Sequence, residues 1–278
     1  MVVSGFRRTG IVRTRKRFGQ HFLEPVWADK VVDAIAPARD DVFLEIGPGP
    51  GILTLRLAPR VSRLIAVEID RDLVATLAPR LPANASIVPG DVLEIDLGDA
   101  VAALDAGTPI RIAGNLPYNI SSPIVFRLLE LETRRAVKDA TLMLQREVAD
   151  RIAAKPGTAD YGVLSVLVQW RADVTRLLTL PPGAFRPPPK VRSAVIRLAF
   201  RPPRFPVVDE RVFEQMVRSM FTQRRKTLSN ALGPFARDVG VAAPEALRQA
   251  GLDSRRRPET LEIVEIARLA DVFATAGR

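Results

Sequence analysis

Two segments hold the residue types from which a chemical site could be built. In the first, Glu45-Ile46-Gly47-Pro48-Gly49-Pro50-Gly51, glycines alternate directly after the apolar run Val42–Ile46. Glycine lets a backbone approach a ligand closely and turn where other residues cannot. A dinucleotide fingerprint needs G-x-G-x-x-G, and here Ile52 stands at the third position. No Gly-Lys-Ser/Thr follows, so a Walker loop is excluded as well. Glu68 ends the next apolar run, 21 residues after Gly47, where an acid can accept from both hydroxyls of a ribose. Asp91 follows the third run, where a carboxylate can accept from an adenine amino group. Any one of these could be a turn glycine or a surface acid. In register, they describe a nucleoside-bearing cofactor without a pyrophosphate, for which S-adenosylmethionine is the natural candidate.

The second segment is Asn115-Leu116-Pro117-Tyr118, after the fourth apolar run. An adenine amino nitrogen is a poor nucleophile because its lone pair is delocalised into the ring. Two acceptors, the Asn115 side-chain carbonyl and a backbone carbonyl near Leu116, could hold its N–H bonds and turn the lone pair toward a methyl group. Pro117 stiffens the turn and donates nothing. Tyr118 offers a face for base stacking, worth about 1–3 kcal/mol per base. Taken alone, the tetrapeptide reads as a turn with a half-buried tyrosine; its place after strand four favours the chemical reading.

Those positions require a sheet. Val42–Ile46, Arg63–Ile69, Ser86–Val88, Ile110–Ala113 and Ala140–Leu144 read as strands, with helices over Ile52–Ala58 and Leu73–Leu77. Ser122-Pro123 reads as an N-cap with proline at the first helical position, opening a helix with the stripe Val125, Leu128, Leu129. Alternating strands and helices predict a parallel, doubly wound α/β sheet. Val174–Leu180 and Ser193–Phe200 read as a closing strand pair flanking the proline-rich stretch Pro181–Pro189. After a linker at 201–206 the strand signal ends. Phe213, Met216, Val217, Met220 and Phe221 fall at helical spacing, as do residues between Leu261 and Phe273, so 207–278 reads as a small helical domain. The chain thus divides into a basic tail (1–17), a catalytic α/β domain (18–200) and this helical domain.

Composition narrows the partner. The chain has 278 residues and a net charge of +10. Its 41 basic residues include six lysines, leaving 35 arginines, whose planar forks suit phosphate. There is no cysteine and one histidine, which excludes disulfides and thiolate zinc sites and argues against a Ser-His-Asp triad and a metal site. No apolar run reaches the ~20 residues that span a bilayer, and no signal-peptide core is present. These features lead us to expect a cytoplasmic monomer. The tail, with Arg7, Arg8, Arg13, Arg15, Lys16 and Arg17 and no acid, fits a solvated arm, a phosphate-contacting arm, or both. Arg224-Arg225-Lys226 reads as a phosphate contact; for Arg255-Arg256-Arg257 that and a solvated face stand level. Trp27 and Trp170 are expected in the core. His21 as a general base is disfavoured, because the attacking amine becomes acidic only after methylation and water can then take its proton.

Five segments carry a resemblance to a known family: Arg17-Phe18-Gly19-Gln20-His21-Phe22-Leu23, the Glu45–Gly49 loop, Asn115–Pro123, Pro181–Val191 and Gln223-Arg224-Arg225-Lys226-Thr227-Leu228. In this order, from about residue 15 to the C-terminus, they resemble the KsgA/RsmA family of ribosomal RNA adenine dimethyltransferases. The resemblance implies a Rossmann-like class I S-adenosylmethionine methyltransferase sheet with a C-terminal all-helical, rRNA-binding domain. It implies dimethylation at N6 of two adjacent adenosines in the 3′-terminal helix loop of small-subunit (16S) rRNA within a pre-30S particle. It also implies that His21, Leu23, Gly47, Gly49, Glu68, Asp91 and Asn115 hold the cofactor, and that Asn115, Leu116, Pro117, Tyr118 and Phe185 hold the target base, Phe185 as a second aromatic wall opposite Tyr118. Arg17, Lys190, Arg224, Arg225 and Lys226 would contact RNA, and no metal is implied. Two positions depart from the common pattern: His21, where many bacterial relatives have Asn, and Arg192, where an acid is common. The first is compatible with the cofactor role; the second puts local loop pairing in doubt. Alternatives are a large-subunit rRNA methyltransferase of the resistance type, a mitochondrial relative, a small-subunit assembly checkpoint with secondary catalysis, and a DNA adenine methylase. Leu116 and the proline loop weigh against the first, and the proline loop and helical domain against the last.

Overall fold

The computed structural model describes residues 21–102, 109–134 and 137–276. In chain order come β1 (Phe22–Leu23), α1 (Pro25–Ile35), β2 (Val42–Ile46), α2 (Thr54–Leu57), β3 (Arg63–Glu68), α3 (Arg71–Leu77), β4 (Ala85–Pro89) and α4 (Leu97–Ala102). They are followed by β5 (Ile110–Asn115), α5 (Ser121–Arg134), β6 (Val137–Gln145), α6 (Arg146–Ile152), α7 (Val163–Arg171), β7 (Ala172–Leu180), β8 (Phe185–Arg186) and β9 (Ser193–Phe200). The remaining helices are α8 (Glu210–Phe221), α9 (Leu228–Ala231), α10 (Gly233–Asp238), α11 (Ala243–Gln249) and α12 (Ile263–Ala276).

Seven strands form one sheet in the order β4-β3-β2-β5-β6-β9-β7. The first five in that order run parallel, while β9 pairs antiparallel with both β6 and β7. All five residues of β2 are buried, as expected for a central parallel strand covered on both faces. The chain steps outward from β2 through β3 to β4, then returns to lay β5 on the other side of β2. That reversal opens a crevice beyond the C-terminal ends of β2 and β5, where open α/β sheets bind ligands. The glycine loop leaves β2 at this point, and Asn115 ends β5.

Two expectations shift. The helix after Tyr118 begins at Ser121, so Ser122 lies inside its first turn instead of capping it. Pro123 is still tolerated there, because the first N–H groups of a helix have no internal partner. Trp170 is buried as expected, but Trp27 is half-buried, with the Lys30 ammonium 4.4 Å above its ring.

The helical segment shares its core with the sheet. Phe213, Met216, Val217 and Met220 on α8 are fully buried, in one apolar cluster with Ile112, Leu142 and Ile196 of the strands. Trp170 packs its ring 4.4 Å from that of Phe213 and donates its indole N–H to Phe205 O at 2.8 Å. Asp209 caps α8 by accepting from the N–H groups of Arg211 and Val212.

One charged cluster lies inside the sheet. Arg111 on β5 donates to Asp41 at 2.6 Å and to both carboxylate oxygens of its β6 neighbour Asp139 at 3.0 and 3.2 Å. Its remaining donors reach Ile35 O and Ala36 O at the end of α1, at 2.7 and 3.0 Å, and Arg197 adds bonds to Ala34 O and Ile35 O. The last carbonyls of a helix need such donors. Two arginines therefore fasten α1, which leads back to His21, onto the sheet.

Candidate active site

A cavity of about 250 Å³ fills the crevice, lined by the glycine loop, Glu45, Glu68, Asp91, the Asn115–Ile120 turn and His21–Leu23. Each polar element has a local origin. Gly47, Gly49 and Gly51 have φ of +66°, +58° and +86°. At Gly49 a Cβ would stand 3.1 Å from the Phe22 ring, so both conformation and space call for glycine there. Glu68 is buried at the end of β3, where its Oε2 accepts from Gly49 N–H at 3.0 Å and its Oε1 from Asp70 N–H at 2.9 Å. Those bonds hold the glycine loop over the strand end. Burial raises the Glu68 pKa, and the two N–H donors oppose the shift. Asp91 follows β4, accepts from Leu93 N–H at 2.9 Å and lines the cavity.

Glu45 was missed as a site residue. It is 1% exposed and lines the cavity, and its Oε2 has no hydrogen-bond partner. A carboxylate inside the apolar run Val42-Phe43-Leu44-Glu45-Ile46 was the available signal, since charges are almost never buried without purpose. Desolvation pushes its pKa to about 8; Thr54 opposes this in part and nearby Glu68 adds to it. The folded chain thus keeps a proton on Glu45 that an unfolded chain releases near 4.5. Linkage then makes stability full below that value and progressively lost as pH rises to about 8. Glu45→Gln, which cannot ionise, is expected to match the parent within about 1 kcal/mol at pH 5. At pH 8.5 it should be more stable, by on the order of 2–4 kcal/mol. Urea denaturation at both values checks this.

The acceptor side is organised by Asn115. Its Nδ2 donates to His21 O at 2.8 Å, which fixes the amide orientation and leaves Oδ1 on the other side of the group. Leu116 is buried and donates its N–H to Met143 O at 3.1 Å, placing the turn on β6. Pro117 O accepts from Ile120 N–H, closing the turn, and the Tyr118 hydroxyl lies 2.5 Å from Ser193 Oγ on β9. Ser193 is a second residue the sequence did not single out.

Phe185, expected opposite Tyr118, is not among the residues that line the cavity. It is fully buried, paired with Leu23 across the two-stranded β1–β8 ribbon, and packs in the core with Met143 and Val195. The ring facing Tyr118 is that of His21, with centroids 5.4 Å apart and planes inclined by 28°. Leu23, expected at the cofactor, lines the cavity while mostly buried. Among the basic residues, Lys190, Arg192, Arg225 and Lys226 are exposed. Arg224 is half-buried and donates to Ala159 O at 2.6 Å, so at least part of its guanidinium serves the loop before α7. Arg256 is likewise committed, to Glu265 and Thr260. Arg17 lies outside the described residues.

A sheet of this order, with a glycine loop and acids at successive strand ends, defines a class I methyltransferase. Solved structures agree: a dimethyladenosine transferase from Plasmodium falciparum aligns with a TM-score of 0.73 at 24% identity, covering 90% of this chain and 96% of its own. The 23S rRNA methyltransferase ErmE aligns at 0.63 and 28% identity, covering 91% and 99%. The ribosomal RNA adenine dimethylase profile matches residues 11–274, and the chain belongs to that family. It is similar to the ribosomal RNA small subunit methyltransferase A of Xanthomonas euvesicatoria pv. vesicatoria (strain 85-10), 46% identical across 93% of this chain and 95% of the relative. The protein of that name from Geobacter metallireducens is 45% identical across 96% and 98%.

Proposed function

We propose that this rRNA adenine dimethylase uses S-adenosylmethionine to dimethylate N6 of two adjacent adenosines in the 3′-terminal helix loop of small-subunit rRNA, acting as a cytoplasmic monomer on a pre-30S particle. Support for the small-subunit substrate comes from relatives carrying that name at 43–46% identity. The observation that bears most on the reaction is Asn115. Its amide, oriented by His21 O, lines the same cavity as Tyr118, Glu68 and Asp91.

The residues present fit the cofactor. Glu68 keeps lone pairs for ribose hydroxyls, Asp91 follows the next strand end for an adenine amino group, and the orphaned Oε2 of Glu45, a cavity-lining residue, is available to a polar group of the methionine moiety. When bound, S-adenosylmethionine supplies an electrophilic methyl group. Asn115 Oδ1 and a backbone carbonyl near Leu116 accept the N6–H bonds of adenine, freeing the nitrogen lone pair. Tyr118 stacks the base. Alignment of nucleophile and methyl supplies most of the acceleration. The methylated nitrogen then gives its proton to water. Lys190, Arg225 and Lys226, all exposed, would meet the phosphates of the RNA.

Likeness to a 23S rRNA enzyme makes large-subunit rRNA the informative competitor. Labelled S-adenosylmethionine offered with small subunits lacking the modification, large-subunit rRNA and duplex DNA is expected to yield dimethyladenosine in the first alone. Label in large-subunit rRNA would move the enzyme to the resistance branch. Binding to small subunits without label would support a checkpoint role.

A further inference from the structure

The His21 imidazole covers the Tyr118 face beside Asn115, where the acceptor base would stack. Both rings line the same cavity, and their centroids are 5.4 Å apart. A planar base between them needs two van der Waals contacts of about 3.5 Å, or about 7 Å in all. The base cannot enter while the ring stays. His21 is tethered at two points that differ in kind. Its ring meets Pro187 O through Nδ1 at 2.8 Å, and because a carbonyl only accepts, Nδ1 carries the proton. Its backbone carbonyl is held by Asn115 Nδ2, and the chain beyond it by the β1–β8 pairing of Phe22 with Arg186. Side-chain rotation breaks the first tether and leaves the others intact.

We propose that His21 is a stand-in for the target base on Tyr118: the imidazole occupies the seat, and an adenine binds by displacing it toward solvent. The inference rests on the acceptor-site reading above. His21 then acts as a positioning and specificity residue. Displacement costs the same stacking contact and hydrogen bond for every ligand. An rRNA held also by phosphate contacts at Lys190, Arg225 and Lys226 can meet that cost. A free nucleoside or a loosely held strand falls below occupancy.

The test uses the full chain without cofactor and a short single-stranded RNA carrying 2-aminopurine, whose fluorescence falls on stacking. His21→Ala is expected to bind the probe roughly tenfold tighter than the parent, with equal quenching at saturation; tenfold corresponds to about 1.4 kcal/mol. His21→Phe keeps a ring on Tyr118 but loses the Pro187 bond, and should fall between the two. Unchanged or weaker binding by His21→Ala, with thermal melting matching the parent, would overturn the proposal; weaker binding would make His21 a wall of the site instead. Tyr118→Ala separates the two levels. It should lose most of the quenching with or without His21, and if it does not, the acceptor seat itself is misplaced.

Discussion

Asn115→Ala is expected to lower methyl transfer by roughly 10²–10³-fold, the effect of deleting one pre-aligned polar group that acts on the reacting atoms. The side chain has two jobs on two atoms. Nδ2 holds His21 O, while Oδ1, in the proposed mechanism, accepts from the amine. Cofactor affinity, measured by equilibrium titration, should weaken far less than turnover, because Glu68 and Asp91 remain. Asn115→Asp sharpens the point. It retains an oxygen for the amine but sets a second oxygen against the His21 carbonyl, 2.8 Å from the present donor. Its activity should therefore stay within about tenfold of the alanine variant instead of recovering. Single-turnover transfer from labelled cofactor separates chemistry from binding. A loss carried wholly by cofactor affinity would remove Asn115 from the chemical step.

Arg111→Met is expected to cost about 3–5 kcal/mol, since removing one member of a buried ion cluster leaves its partners charged and dry. Asp41 and Asp139 would face each other without a cation, apart from Arg197, whose Nε lies 4.0 Å from Asp139. The end of α1 would also lose the donors now on Ile35 O and Ala36 O. The deficit should shrink as pH falls toward 4, because unpaired buried carboxylates take up protons readily. Adding Asp41→Asn and Asp139→Asn should restore most of the stability at pH 7. Denaturant midpoints across that pH range test both statements. A pH-independent deficit would mean that packing, not charge, is at issue.

Much of the sheet can be read in the chain because central parallel strands are short apolar runs with turn residues at their ends. Val42–Ile46 and Ser193–Phe200 match their expected spans, and the strand expected over Ile110–Ala113 runs two residues further, to Asn115. The acids at 68 and 91 could be placed for the same reason: a residue at a strand end faces the crevice whatever the side packing does. What escaped depends on contacts distant in sequence. The β1–β8 ribbon pairs two residues with two, Leu23 with Phe185 and Phe22 with Arg186, 162 and 164 positions apart, too short for any periodic signal. That pairing turns Phe185 into the core and leaves the Tyr118 face to His21. Arg111 reads as an odd residue in a strand until Asp41 and Asp139 are seen around it. Arg224, in a basic triplet, reads as a phosphate contact, and only the fold shows it reaching Ala159 O.

The unbroken apolar cluster running from the strands into α8 bears on modularity. A chain severed in the linker at 201–206 would bare Trp170 and its neighbours on one piece and Phe213, Met216 and Met220 on the other. Each fragment would carry a sticky face suited to aggregation. The helical segment is therefore not a detachable accessory that could be shuffled onto another enzyme or shed by proteolysis without loss. Sheet and helical segment stand or fall together, so damage to α8 can silence a cavity that it does not line.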